Sequence, residues 1–141
     1  MTPNGLAKLP NLQSGIDLQF GQSKNLVGVL APNEGNVLSG HPYTGVDLSH
    51  TTSTSNNEVV GNFIGTNLTG DAVASYTRTF YGVTFKDDVA NNFVHDNVIG
   101  GANAYPIWHK HDYTGHNTIA NNLIGIARNG ASLPNSKYAM Y

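Results

Sequence analysis

Apolar and polar positions alternate in two short blocks that recur along the chain. The first block is a small or turn-favouring residue, then Ile or Val, then an alternating stretch. It reads GIDLQF from Gly15, GVDLSH from Gly45, GVTFKDD from Gly82 and PIWHKHD from Pro106. Alternation at period two predicts a strand with one buried face. The second block reads NNEVVGNFIG at 56–65, NNFVHDNVIG at 91–100 and HNTIANNLIG at 116–125. Asn returns at 57, 92 and 117, and again at 62, 97 and 122. Val59, Val94 and Ile119 hold the apolar centre, and Ile-Gly closes each block. Self-similarity at this period predicts a repeat architecture. Short apolar runs with Asn in register predict stacked strands rather than stacked helices. One coil then holds a first strand, a corner, a second strand of the NxVxxNxIG type and a variable loop. The first strands start 30, 37 and 24 residues apart, and the loop absorbs the difference.

Asn has a physical reason to return once per coil. It tolerates left-handed backbone angles that most residues avoid. Its amide both donates to and accepts from the same amide one rung away. At the strand spacing of about 4.8 Å such side chains form a hydrogen-bonded ladder.

Residues 1–14, with two prolines, read as a leading segment, and 15–141 as the solenoid. A less regular coil fills 15–44, better ones fill 45–81, 82–105 and 106–136, and KYAM at 137–140 begins a fifth first strand. Four rungs stand about 20 Å tall. The sequence offers no capping helix for the open edges. Three expectations remain open: a piece of a longer solenoid, a small protein that pairs its ends with a partner, or ends protected by irregular loops. Self-association through open ends is expected.

Composition removes several classes. Charged residues make up 11% of the 141, and no window carries a long apolar stripe at helical spacing. A net charge of −2 with seven Lys plus Arg and no basic run argues against nucleic acid as a partner. Cysteine is absent, which excludes disulfides, thiolate metal sites and a Cys nucleophile. No apolar run approaches the roughly 18 residues of a membrane span, so membrane insertion is not expected. MTPNGLAKLPNLQ lacks the apolar core of a signal peptide.

The coil length and two-strand rhythm over 15–136 resemble the right-handed parallel β-helices of the pectate-lyase-like superfamily. YGVTFKDDVANNFVHDN at 81–97 is similar to the β-helical modules of mannuronan C5-epimerases. Those carry Tyr-Gly-(Ile/Val)-Asp-Pro-His on a first strand, followed by an Asn-rich strand. IGTNLTGDAV at 64–73 resembles repeats of large bacterial surface β-helix proteins. The resemblance implies an all-β right-handed parallel β-helix of about four coils, secreted or at a cell surface. It also implies action on an acidic polysaccharide as a uronate lyase or C5-epimerase. The family motif is incomplete. Gly45-Val46-Asp47 is in register, but Leu48 replaces its Pro and His50 falls one residue late. Thr84 and Lys86 stand where Asp and His belong on the following strand.

Aligned from their starts, the first strands place Asp17, Asp47, Thr84 and Trp108 in one row and Gln19, Ser49, Lys86 and Lys110 in another. With Ile16, Val46, Val83 and Ile107 inward, both rows point outward on one face. His50, Asp87 and His111 lie where the strands turn. This mixture suits a sugar chain: Trp stacks on a pyranose, Lys pairs with a uronate carboxylate, and Asp or His exchanges protons. Asp47, His50, Lys86, Lys110 and His111 are the candidate catalytic groups. Ser49, Thr84, Asp87, Trp108 and His109 are the candidate substrate contacts. A Lys base needs a depressed pKa, which Lys86 and Lys110 would give each other. A polar solvent face with no chemistry is the competing reading.

His109, His111 and His116 form the densest imidazole cluster, and two His at i, i+2 on a strand share a face. Position four is Leu18, Leu48 and Phe85 elsewhere, so His109 is expected to face inward or line the rim. No cofactor is required. Calcium on Asp87, Asp88 and Asp112 is the metal alternative, since those oxygens would sit on adjacent rungs. The rival to a glycan-active module is a non-catalytic structural β-helix of a surface adhesin, phage tailspike or repeat scaffold.

Overall fold

The structure is a computed structural model that describes residues 10–31, 34–51, 53–74, 79–110 and 115–141. Among these residues it is all β. Twelve strands follow in order: β1 (Ile16–Gln19), β2 (Leu26–Gly28), β3 (Val37–Leu38), β4 (Thr44–Ser49), β5 (Glu58–Val60), β6 (Phe63–Ile64), β7 (Tyr81–Phe85), β8 (Phe93–His95), β9 (Val98–Ile99), β10 (Ile107–His109), β11 (Thr118–Ala120) and β12 (Leu123–Ile124). They form three four-stranded sheets in the orders β1-β4-β7-β10, β2-β5-β8-β11 and β3-β6-β9-β12, every neighbour parallel. Each third strand along the chain returns to the same sheet one rung on, which is a parallel solenoid of four coils. A fifth rung starts as expected: Met140 bridges to Ile107, and His109 N–H donates to Tyr141 O at 2.8 Å.

A coil contains three strands, not two. The NxVxxNxIG block bends in its middle and contributes to two sheets. The bend has a local cause. The residue before the second Asn is left-handed in every regular coil: Gly61 (φ 69), Asp96 (φ 53) and Asn121 (φ 54). The same device precedes the first Asn, at Lys24 (φ 59), Asn56 (φ 55), Asn91 (φ 57) and His116 (φ 58). The left-handed angle that Asn tolerates therefore falls on its predecessor. The in-register Asn itself turns inward from the corner.

Those inward Asn residues stack in two columns. Asn25 Nδ2 donates to Asn57 Oδ1 at 2.9 Å, Asn57 to Asn92 at 3.0 Å and Asn92 to Asn117 at 3.0 Å. In the second column Asn36 donates to Asn62 at 3.0 Å, Asn62 to Asn97 at 3.0 Å and Asn97 to Asn122 at 2.9 Å. The other Nδ2 hydrogen goes back one coil to a main-chain carbonyl, as from Asn62 to Val27 O and from Asn97 to Val59 O, both 2.9 Å. Asn57, Asn62, Asn92 and Asn97 are buried, and these bonds satisfy amides that would otherwise cost free energy.

The interior between the columns is apolar. Leu48, Val46, Val59, Ile64, Val83, Phe85, Val94, Ile99 and Ile107 are fully enclosed. A second apolar layer lies outside the third sheet. Phe63 and Val98 pack there against Ala127 and Leu133. The covering pieces are two hairpins that follow β6 and β12. Thr66 bridges Val73 and Ile126 bridges Ser132, both antiparallel. Gly65 opens the first hairpin at φ 74, where a Cβ would sit 2.0 Å from Gly100 O. The other two Ile-Gly ends need glycine for different reasons: Gly100 is pressed by the Leu133 side chain, and Gly125 is left-handed at φ 77.

Candidate functional site

The first-strand register agrees with the alignment read from the sequence. Asp17 pairs Asp47, Asp47 pairs Thr84, and Thr84 pairs Trp108. The outward face differs from expectation in one respect: Asp47, Ser49, Thr84 and Lys86 are buried. They satisfy one another. Lys86 Nζ lies 2.7 Å from both Asp47 carboxylate oxygens. Thr84 Oγ1 donates to Asp47, and Ser49 Oγ donates to the same carboxylate at 3.3 Å. Lys86 therefore has Asp47, rather than Lys110, as its governing neighbour. An ammonium held at 2.7 Å by a buried carboxylate has its hydrogen bonds committed within the fold.

Past the strand ends the chain turns through left-handed residues at Phe20 (φ 54), His50 (φ 81), Asp87 (φ 57) and Asp88 (φ 66). This corner brings His50 Nδ1 to 3.4 Å from Asp87 and lays the Phe20 ring edge-on to His50 at 4.6 Å. His50 is exposed, and Asp87 and Asp88 are half-buried. His111 and Asp112 lie outside the described residues, so the third calcium ligand and one catalytic candidate have no geometry. Among the described residues no group of three His, Cys, Asp or Glu is arranged to hold a metal. His109 is half-buried on the inward side, its ring 5.4 Å from Phe85, and burial pushes its pKa below the ordinary value.

Trp108 is half-buried and stacks on Tyr81, with centroids 4.4 Å apart and 9° between planes. It belongs to an aromatic row that the sequence reading did not isolate. Tyr43, Tyr81, Tyr105 and Tyr141 succeed one another along the stack at 5.7, 6.3 and 4.9 Å. Three ammonium groups sit over these rings: Lys86 over Tyr43 at 4.9 Å, Lys110 over Trp108 at 5.7 Å and Lys137 over Tyr105 at 5.3 Å. Burial, with Tyr43 and Tyr105 beside it, raises the Tyr81 pKa, so its hydroxyl stays neutral. The signal was available: a Tyr stands two or three residues before the apolar start of three successive first strands, at 43, 81 and 105.

A second cluster lies on the outer side of the second sheet. The His95 ring is enclosed, with Nδ1 at 2.7 Å from Asp96 and Nε2 at 2.9 Å from Glu58. Phe93 stacks on it at 3.8 Å. Burial opposes the charged ring, but the hydrogen bonds and charges of Asp96 and Glu58 together outweigh it, and the pKa lies above its ordinary value. The sequence clue was a difference. Glu58, His95 and Asp96 stand where the other copies of the block carry apolar, small or neutral residues.

No helix of the described residues is long and apolar enough to cross a membrane. No family model, curated protein or solved structure matches the chain.

Proposed function

We propose that the chain is a right-handed parallel β-helix of the pectate-lyase-like kind and serves as a binding module for an acidic polysaccharide at a cell surface or outside the cell. Right-handedness follows the strong preference of parallel crossovers. The observation that carries the reading is the aromatic row with the ammonium groups of Lys110 and Lys137 over its rings. Ring faces suit the apolar side of a pyranose, and the ammonium groups suit uronate carboxylates. The row runs along the stack, so successive sugars would meet successive tyrosines.

Catalysis is the weaker part of this reading, because Lys86 is tied to Asp47. If a proton is removed from the sugar, His50, Lys110 and His111 are the groups left to take it. The second reading is a non-catalytic scaffold, favoured by the mutual satisfaction of Asp47, Ser49, Thr84 and Lys86. Trp108 fluorescence decides between them. Uronate oligomers should quench or shift it, and more strongly at low salt. No change at millimolar oligomer would leave the scaffold. A panel of uronate polymers, read by absorbance of unsaturated products and by proton NMR of epimerised ones, tests for turnover.

A further inference from the structure

The departures from the repeat converge on one bend, between the second and third sheets. Gly28, Val60 and Ala120 share a row with His95, and Leu26, Phe93 and Thr118 share a row with Glu58. At the left-handed corner, Gly61 and Asn121 flank Asp96. Two segments outside the repeat reach the same place. Leu30 comes from the insertion between β2 and β3, and Arg128 comes from the hairpin after β12. With Asp96, Val98, Asn121 and Leu123 they line a cavity of about 220 Å³. That is smaller than the ~300 Å³ at which sites for drug-sized ligands begin, so a one-ring ligand is the right scale.

The lining is chemically divided. Leu123 and Leu30 give an apolar wall. Asp96 uses one oxygen on His95 and keeps acceptor capacity on the other. Its charge is offset by the His95 ring, which Glu58 holds from the far side. Arg128 rests 4.9 Å over the Phe63 ring and makes no ion pair among the described residues. The cavity thus presents an uncompensated guanidinium beside hydroxyl-binding groups.

We infer that this bend is a binding site for a single acidic sugar ring. Its apolar face lies on Leu123 and Leu30, its anionic group on Arg128, and its hydroxyls against Asp96 and Asn121. The anion is a carboxylate or a phosphate, since a guanidinium takes either in a fork. The site is separate from the aromatic row and does not depend on it.

The His95 Hε1 resonance, assigned by comparison with His95→Gln, reports on the cavity through Asp96. The full chain is titrated with D-glucuronate and, separately, with glucose 6-phosphate; D-glucose and acetate serve as controls. At least one acidic sugar should move the resonance saturably, and the controls should move it far less. The stronger of the two identifies the anion. Arg128→Gln, at an exposed position, should weaken that ligand about tenfold and leave the melting temperature unchanged. No movement with either acidic sugar overturns the site. So does an equal response to glucose or acetate, or undiminished binding by Arg128→Gln.

Discussion

The asparagine columns and the outward rows of the first sheet solve the same problem in opposite ways. Both run along the stack and both bury polar groups. In the columns every coil carries the same residue, and Asn57, Asn92 and Asn117 bond like to like. In the outward rows the buried charge meets unlike groups: beyond the exposed Asp17, Asp47 lies beside Thr84 and Lys86 rather than beside another carboxylate. An amide complements itself, so repetition satisfies it. A charge repels its copy, so a buried charge must break the repeat. Among buried polar positions, identity between coils therefore marks the self-complementary amides, and difference marks the paired charge.

The comparison is broken most severely at Lys86. Lys86→Ala leaves the Asp47 carboxylate buried without its cation and should cost about 3–5 kcal/mol. Adding Asp47→Asn should recover part of the loss, because the charge goes while Thr84 keeps an acceptor. A denaturation midpoint for Lys86→Ala equal to that of the parent chain would contradict the buried pair. Removing one member of a column is milder. Asn92→Ala strips partners from Asn57, Asn117 and Thr54 O, at about 1–3 kcal/mol. An unchanged midpoint would deny the column its stabilising role. His50→Ala should cost less still, under about 1 kcal/mol, since the pair with Asp87 is wet on both sides.

Titration sharpens the comparison without removing a pair. The His95 pKa is raised above 6.5 in the folded chain. Its stabilisation is complete below 6.5 and is lost as pH rises through the folded value. His41 and His109 are lowered by burial, so they act in the other direction. Their contribution is present above 6.5 and is lost as pH falls below it. Melting temperature against pH should pass through a maximum near neutrality. His95→Gln should flatten the alkaline side, and His109→Gln the acid side. Identical profiles for all three proteins would refute the assignment.

Much of the fold is legible in the residues. The NNxVxxNxIG block displays its own register, and the structure aligns Val59, Val94 and Ile119 as the sequence does. The first strands align equally well, from Ile16 to Ile107. The third sheet was hidden because two-residue strands such as Phe63–Ile64 carry no period of their own. The corner that separates them depends on one left-handed residue, which is Gly, Asp or Asn by coil. The site was less legible. Alternation gave the side on which Asp47 and Lys86 point, but period two says nothing about whether that side is covered. The aromatic row escaped notice because Tyr43, Tyr105 and Tyr141 lie outside the strands and Tyr81 only begins one. The His95 cluster escaped because repeats draw attention to what recurs.

The hydrogen bonds of the columns also have a direction. Asn57, Asn62, Asn92 and Asn97 each give one Nδ2 hydrogen forward to the oxygen of the next and send the other backward to a carbonyl. Every coil is thus a module with a socket on one side and a matching plug on the other. Tandem duplication of one coil, for instance the 35 residues from Asn57 to Asn91, would create one new junction, at which the asparagine columns bond as they do at the junctions already present. A protein built this way can change its length by whole coils while its cross-section stays constant.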